Sequence, residues 1–168
     1  MVYSWNIVSN LRLNRVIVLD SIDKKLLAAL ENDARQSFSA LGECVGLSKT
    51  PCWNRVKALN ESGVVQSYGA RLDPEKLGIH IKAIVHVVVD FAEYQAFESA
   101  IIAHRQVRSC QAVTGEFDYV LEVFATNMGQ FDELLRNQLS QLPGVQRFNT
   151  AIATRSVKVG APYTGMMI

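Results

Sequence analysis

The apolar period of this chain changes at Gly63, and that change constrains the fold more than any other feature. Before it, apolar residues recur three and four apart; after it, they mostly alternate in short runs. The first period belongs to helices and the second to strands, so a helical unit must be followed by one built around a sheet.

The helical part begins at Leu19. Asp20 reads as a helix cap with Asp23 as its capping-box partner, and Ile22, Leu26, Ala29 and Leu30 follow at helical spacing. Ser37 caps a second, short helix that buries Leu41, Cys44 and Val45 and stops at Gly46. Ser48 caps a third helix through residue 61, with Pro51 in its first turn, where a missing N–H is harmless. Three short helices with a glycine in the last turn form the helix-turn-helix pattern.

Residues 64–72 read as extended, Asp73-Pro74 starts a turn, and residues 75–78 form a short helical connector. Then come a strand around Ala83, Val85 and Val87, a helix over 92–104, strands over 107–114 and 119–126, a helix over 128–142, and a strand over 146–158. This βαββαβ order is the ferredoxin-like unit. The expected fold class is α+β: an N-terminal helix-turn-helix (winged-helix-like) domain and a C-terminal βαββαβ ferredoxin-like domain. The expected boundaries are 1–18 for an N-terminal extension, 19–64 for the helical domain, 65–80 for a linker strand and connector, and 81–160 for the sheet domain. The extension contains a possible short strand over 11–18 and carries no assigned function.

Composition excludes several classes. Hydrophobic residues are 49% of 168, enough to bury a core and too many for a disordered chain. The longest run without a charged residue is 11 residues, against the roughly 20 that a membrane span requires. No secretory pattern opens the chain, and three cysteines without a CxxC pair fit a reduced, cytoplasmic protein. Residues 1–72 hold nine Lys/Arg against six Asp/Glu, whereas residues 73–168 hold eight against ten. The first part therefore favours an anionic partner, unless the small counts merely scatter.

On a helical wheel the third helix turns Cys52, Val56 and Leu59 inward. The other side carries Thr50, Asn54, Lys57 and Glu61, flanked by Lys49, Trp53 and Asn60 on one edge and Arg55 on the other. Short polar groups for base edges and cations for phosphates are what a DNA-reading helix needs, although an ordinary solvated face has a similar composition. An exposed Trp on a polar face weighs toward recognition.

The run Leu47-Ser48-Lys49-Thr50-Pro51-Cys52-Trp53-Asn54-Arg55-Val56-Lys57-Ala58-Leu59, followed by Gly63-Val64-Val65, resembles the recognition-helix signature of the Lrp/AsnC "feast/famine" transcription regulators. The likeness continues through Leu19-Asp20-Ser21-Ile22-Asp23 and Leu72-Asp73-Pro74-Glu75-Lys76-Leu77-Gly78, and covers residues 19–160. The extension before Leu19 departs from that compact pattern. The resemblance implies that Ser48, Lys49, Thr50, Trp53, Asn54, Arg55 and Lys57 form the DNA-binding set, with double-stranded DNA as partner.

The segment Thr114-Gly115-Glu116-Phe117-Asp118-Tyr119 joins two strands and gathers two carboxylates, a glycine and a phenol. A carboxylate suits an ammonium and turn N–H groups suit a carboxylate, the two ends of a free amino acid. Such residues also make ordinary tight turns. The segment resembles the family's Gly-x-x-Asp-Tyr motif, which implies an effector site at Gly115, Glu116, Asp118 and Tyr119 and assembly of dimers into tetramers or octamers. Two acids in the loop favour a zwitterion or cation over an acidic effector.

The first strand is largely apolar on both sides, with Ile84 and Val88 opposite Ala83, Val85 and Val87. An uncovered second face would be sticky, so a second copy is expected to cover it, unless the N-terminal segment or the connector does. No catalytic, nucleotide-binding or metal-ligand spacing is present, and no cofactor is expected. Cys44 and Cys52 read as small core residues. Two alternatives stay open: an enzyme of the same fold, such as the sirohaem decarboxylases, and a stand-alone amino-acid-binding module. The polar third helix favours a regulator over both.

Overall fold

The computed structural model describes residues 17–167, so most of the possible strand over 11–18 lies outside the described residues. The chain forms two compact units. One holds the described residues up to Ala70 together with the segment from Lys158 onward, and the other is Arg71–Val157.

The first unit contains α1 (Ser21–Asn32), α2 (Phe38–Val45) and α3 (Lys49–Glu61). Asp20 and Asp23 form the capping box, each side chain accepting the other's backbone N–H. Ser37 caps α2 and Gly46 ends it in the left-handed conformation that glycine tolerates. Ser48 stands at the cap position of α3, but its side chain makes no capping hydrogen bond. Leu26, Leu27, Leu30, Leu41, Cys52, Val56 and Leu59 form the core. Cys44, expected inside, is exposed; Val45 and Phe38 cover that side of the core instead. Gly42 is buried, and a Cβ there would run into the Leu47 carbonyl. It therefore permits the close approach between α2 and the turn before α3.

After α3 no strand occurs before Ile81 among the described residues, so the expected linker strand has no ladder and α3 has no β-wing. The connector is a 3-10 turn, Glu75–Leu77.

The second unit runs β1 (Ile81–Val89), α4 (Tyr94–Ile102), β2 (Val107–Ala112), β3 (Tyr119–Ala125), α5 (Met128–Asn137) and β4 (Val145–Ile152). The sheet is antiparallel in the order β2-β3-β1-β4. Ala83, Val85, Val87, Leu121 and Val123 form its inner face and pack with Phe97, Ile101, Phe131, Leu134 and Leu139.

Two elements end five or more residues short of what the periodicity predicts. Helix α5 stops at Asn137 and resumes as a 3-10 turn, Leu139–Gln141. The Ser140 hydroxyl donates to the Arg136 carbonyl at 2.5 Å, the acceptor that a continuing helix would reserve for the residue-140 N–H. Strand β4 stops at Ile152: Ala83 pairs Ile152, and Ala153 N–H makes one further bond, to Lys82 O.

The outer face is less apolar than expected. Ile84, Val88, Val120 and Phe124 are interleaved with Lys82, His86 and Glu122, all half-buried in a single copy. Lys82 pairs with Glu122 at 2.5 Å, and Arg108 approaches the same carboxylate at 3.8 Å.

Gly42→Ala should destabilise the helical unit by about 1–3 kcal/mol, because the added carbon meets backbone rather than a yielding side chain. A thermal melt monitored by far-UV circular dichroism measures this.

Candidate nucleic-acid interface and effector hairpin

The orientation of α3 follows from its three buried residues. Cys52, Val56 and Leu59 lie at i, i+4 and i+7 and fill the core, which turns the intervening positions outward. Lys49, Thr50, Trp53, Asn54 and Lys57 are all exposed. Trp53 keeps 44% of its surface accessible, and the Lys57 ammonium stands 5.2 Å from its ring centroid. Lys57 also approaches Glu61 at 3.7 Å, an exposed i,i+4 pair worth only a few tenths of a kcal/mol. Its charge therefore remains available to a phosphate.

Arg55 is placed differently from the rest of the expected DNA-binding set. Its Nη1 lies 2.6 Å from Asp20 Oδ2 and 2.8 Å from Asp23 Oδ1. It fastens α3 to the capping box of α1. Hydrogen bonds from the Asp23 backbone and from Arg55 hold the Asp20 carboxyl below the usual carboxylate range. Tyr68 adds a group that periodicity does not show: beyond α3, its hydroxyl donates to Asn60 Oδ1 at 3.0 Å.

The hairpin residues divide between two environments. Gly115 has φ +125°, open to glycine and strained for other residues, so it sets the turn. Asp118 extends the β1–β3 ladder beyond Tyr119: its N–H donates to Val87 O at 3.0 Å, and its Oδ2 accepts Val89 N–H at 2.9 Å. Glu116 Oε1 accepts from Arg147 Nη2 at 3.1 Å. The Arg147 guanidinium lies 5.0 Å from the Phe117 ring, which in turn meets His86 at 5.1 Å. Both acids thus have partners within the unit. Arg147 offsets the charge of Glu116, whereas the partners of Asp118 are neutral backbone groups.

Tyr119 is on the inner side of the sheet. It is 7% exposed, meets Phe97 at 4.7 Å between ring centroids, and donates its hydroxyl to Glu98 Oε1 at 2.9 Å. Burial first, then the bond to Glu98, push its hydroxyl pKa up. The structure thus brings Gly115, Glu116 and Asp118 together at the turn and separates the Tyr119 ring from them.

Burial pushes the Cys110 thiol up to about 11, so it stays protonated at neutral pH and is a poor nucleophile. Among the described residues no group of three His, Cys, Asp or Glu is placed to hold a metal ion.

The comparisons with known proteins agree across both units. Residues 19–60 match the AsnC-type helix-turn-helix domain, and residues 82–163 match the Lrp/AsnC ligand binding domain. The DNA-binding transcriptional activator DecR of Escherichia coli is 33% identical over 144 residues, 84% of this chain and 95% of that protein. The Bkd operon transcriptional regulator of Pseudomonas aeruginosa is 40% identical over 142 residues, 83% and 93% of the two chains. Among solved structures, a transcriptional regulator from Neisseria meningitidis in complex with L-methionine superposes with a TM-score of 0.83 at 31% identity, covering 86% and 96% of the two chains. A feast or famine regulatory protein from M. tuberculosis, also complexed with L-methionine, gives 0.79 at 31% identity, covering 84% and 96%.

Tyr119→Phe should cost about 1–2 kcal/mol, since Glu98 loses a donor in a part-buried setting. Chemical denaturation with an unchanged m-value measures that loss.

Proposed function

The chain belongs to the Lrp/AsnC family of DNA-binding transcriptional regulators, and on that premise we propose how its parts divide the work. Helix α3 enters the major groove. Thr50 and Asn54 meet base edges, while Lys49 and Lys57 meet phosphates. Ser48 stands at the N-terminal end of α3, where backbone N–H groups favour a phosphate. Trp53 packs against the sugar-phosphate backbone, and Arg55 supports the set by holding α3 to α1. The observation that carries this reading is the exposed polar and cationic face of α3, set opposite its buried stripe.

The sheet unit pairs with a second copy through its outer face, and dimers assemble further into tetramers or octamers. The half-buried Ile84, Val88, Val120 and Phe124 supply apolar area. The Lys82–Glu122 pair satisfies charges that such a contact would bury. A two-fold dimer also presents two α3 helices to two half-sites.

The hairpin at Gly115, Glu116 and Asp118 senses a free amino acid, with Tyr119 bracing the strand behind it. Turn N–H groups receive the carboxylate, and Asp118 attracts the ammonium while keeping its bond to Val89. The L-methionine complexes of two relatives make methionine the first probe. The protein acts as a regulator without catalysis or a cofactor, in the cytoplasm where its DNA lies.

Four variants test this reading. Lys57→Ala should weaken binding similarly on all duplexes and lower the salt slope by about one ion, whereas Asn54→Ala should relax base preference by about 1–3 kcal/mol. Gel shifts on the protein's own upstream DNA at several salt concentrations check both. Ile84→Glu should yield monomers in light scattering, because an unpaired buried charge costs several kcal/mol. Titration calorimetry with L-methionine should show binding that Asp118→Asn weakens by about 1–3 kcal/mol; asparagine keeps the Val89 acceptor and removes the charge.

A further inference from the structure

The segment that follows β4 leaves the sheet fold. From Lys158 onward it belongs to the same unit as α1, α2 and α3. There Pro162 introduces a 3-10 turn, Tyr163–Met166, whose first N–H groups have no partner within the turn and need acceptors. Helix α1 provides them. Glu31 Oε1 accepts Tyr163 N–H at 2.7 Å, and Glu31 Oε2 accepts both Thr164 N–H at 3.0 Å and the Thr164 hydroxyl at 2.8 Å. One carboxylate thus takes three donors from two consecutive residues. Bonds of this kind to an ionised acceptor are roughly twice as strong as neutral ones.

The position of Glu31 reinforces the point. It lies in the last turn of α1, where the helix dipole disfavours a negative charge. No basic residue stands in that turn. The donors of the C-terminal turn compensate the charge. Hydrogen bonds from Thr164 and Tyr163 hold its carboxyl below the ordinary glutamate range.

We propose that the segment from Lys158 onward is a latch: it closes on α1 through Glu31 and returns the chain from the end of the sensing fold to the DNA-binding unit. The chain passes between the two units twice, at residues 70–71 and 157–158. The first passage is the linker after α3. The second, secured by Glu31, braces α1, the helix whose capping box holds α3 through Arg55. The consequence for DNA affinity rests on the regulator reading; the docking itself does not.

Hydrogen exchange on the full-length chain tests the latch. In the wild type the Tyr163 and Thr164 amides should be protected. Glu31→Ala should speed their exchange on the order of tenfold or more, with Glu31→Gln between the two and the Val85 amide unchanged. Unprotected amides in the wild type, or equal exchange in Glu31→Ala, would overturn the docking whether or not the chain binds DNA. Gel shifts on the protein's own upstream DNA test the consequence. Glu31→Ala should lose several-fold in affinity, and equal affinity in a wild type that does bind would overturn the bracing role. The unchanged Val85 amide separates loss of the latch from general unfolding.

Discussion

Everything that α3 shows to its surroundings is decided by three residues it turns inward. Cys52, Val56 and Leu59 are buried against Leu26, Leu30 and Leu41, and a helix anchored along one stripe has no freedom to rotate. Thr50, Trp53, Asn54 and Lys57 therefore face out by geometry. Two further contacts hold the stripe in place. Gly42 lets α2 approach the turn before α3, and the Arg55 bridge ties the middle of α3 to the capping box of α1. The same guanidinium that first reads as a phosphate ligand instead positions the helix.

The sheet unit obeys a comparable logic with two faces in place of two helix sides. Its inner face is filled by α4 and α5, and Tyr119 belongs to that side, locked by Phe97 and Glu98. Its outer face mixes apolar side chains with an ion pair, a composition suited to a partner that keeps charges matched as well as apolar area covered. Asp118 connects the two themes. It stitches the hairpin to β1, so a ligand that engaged its charge would also act on the edge of the central strand pair.

Much of this was legible in the residue pattern. The capping box, the buried face of α3 and the βαββαβ order each follow from local chemistry: a carboxylate three residues from another, an i, i+4, i+7 stripe, an alternating strand. What was not legible depends on partners distant in sequence. Arg55 is separated from Asp20 by 35 positions, and Glu31 from Thr164 by 133. Nothing in periodicity predicts either contact. The early end of α5 is equally hidden from periodicity, since it depends on where the Ser140 hydroxyl turns. Cys44 shows the converse limit: its position on the wheel of a short helix fits the core, but Val45 and Phe38 occupy that place.

The central claim is that a symmetric assembly reads DNA sequence through the outward face of α3. Selection of binding sites from random duplex DNA by the purified full-length protein tests it most directly. The account predicts enrichment of a two-fold symmetric sequence whose half-sites lie a whole number of helical turns apart, with the preference relaxed at particular positions in Asn54→Ala. Recovery of no preferred sequence, or of the same preference undiminished in Asn54→Ala and Thr50→Ala, would contradict it.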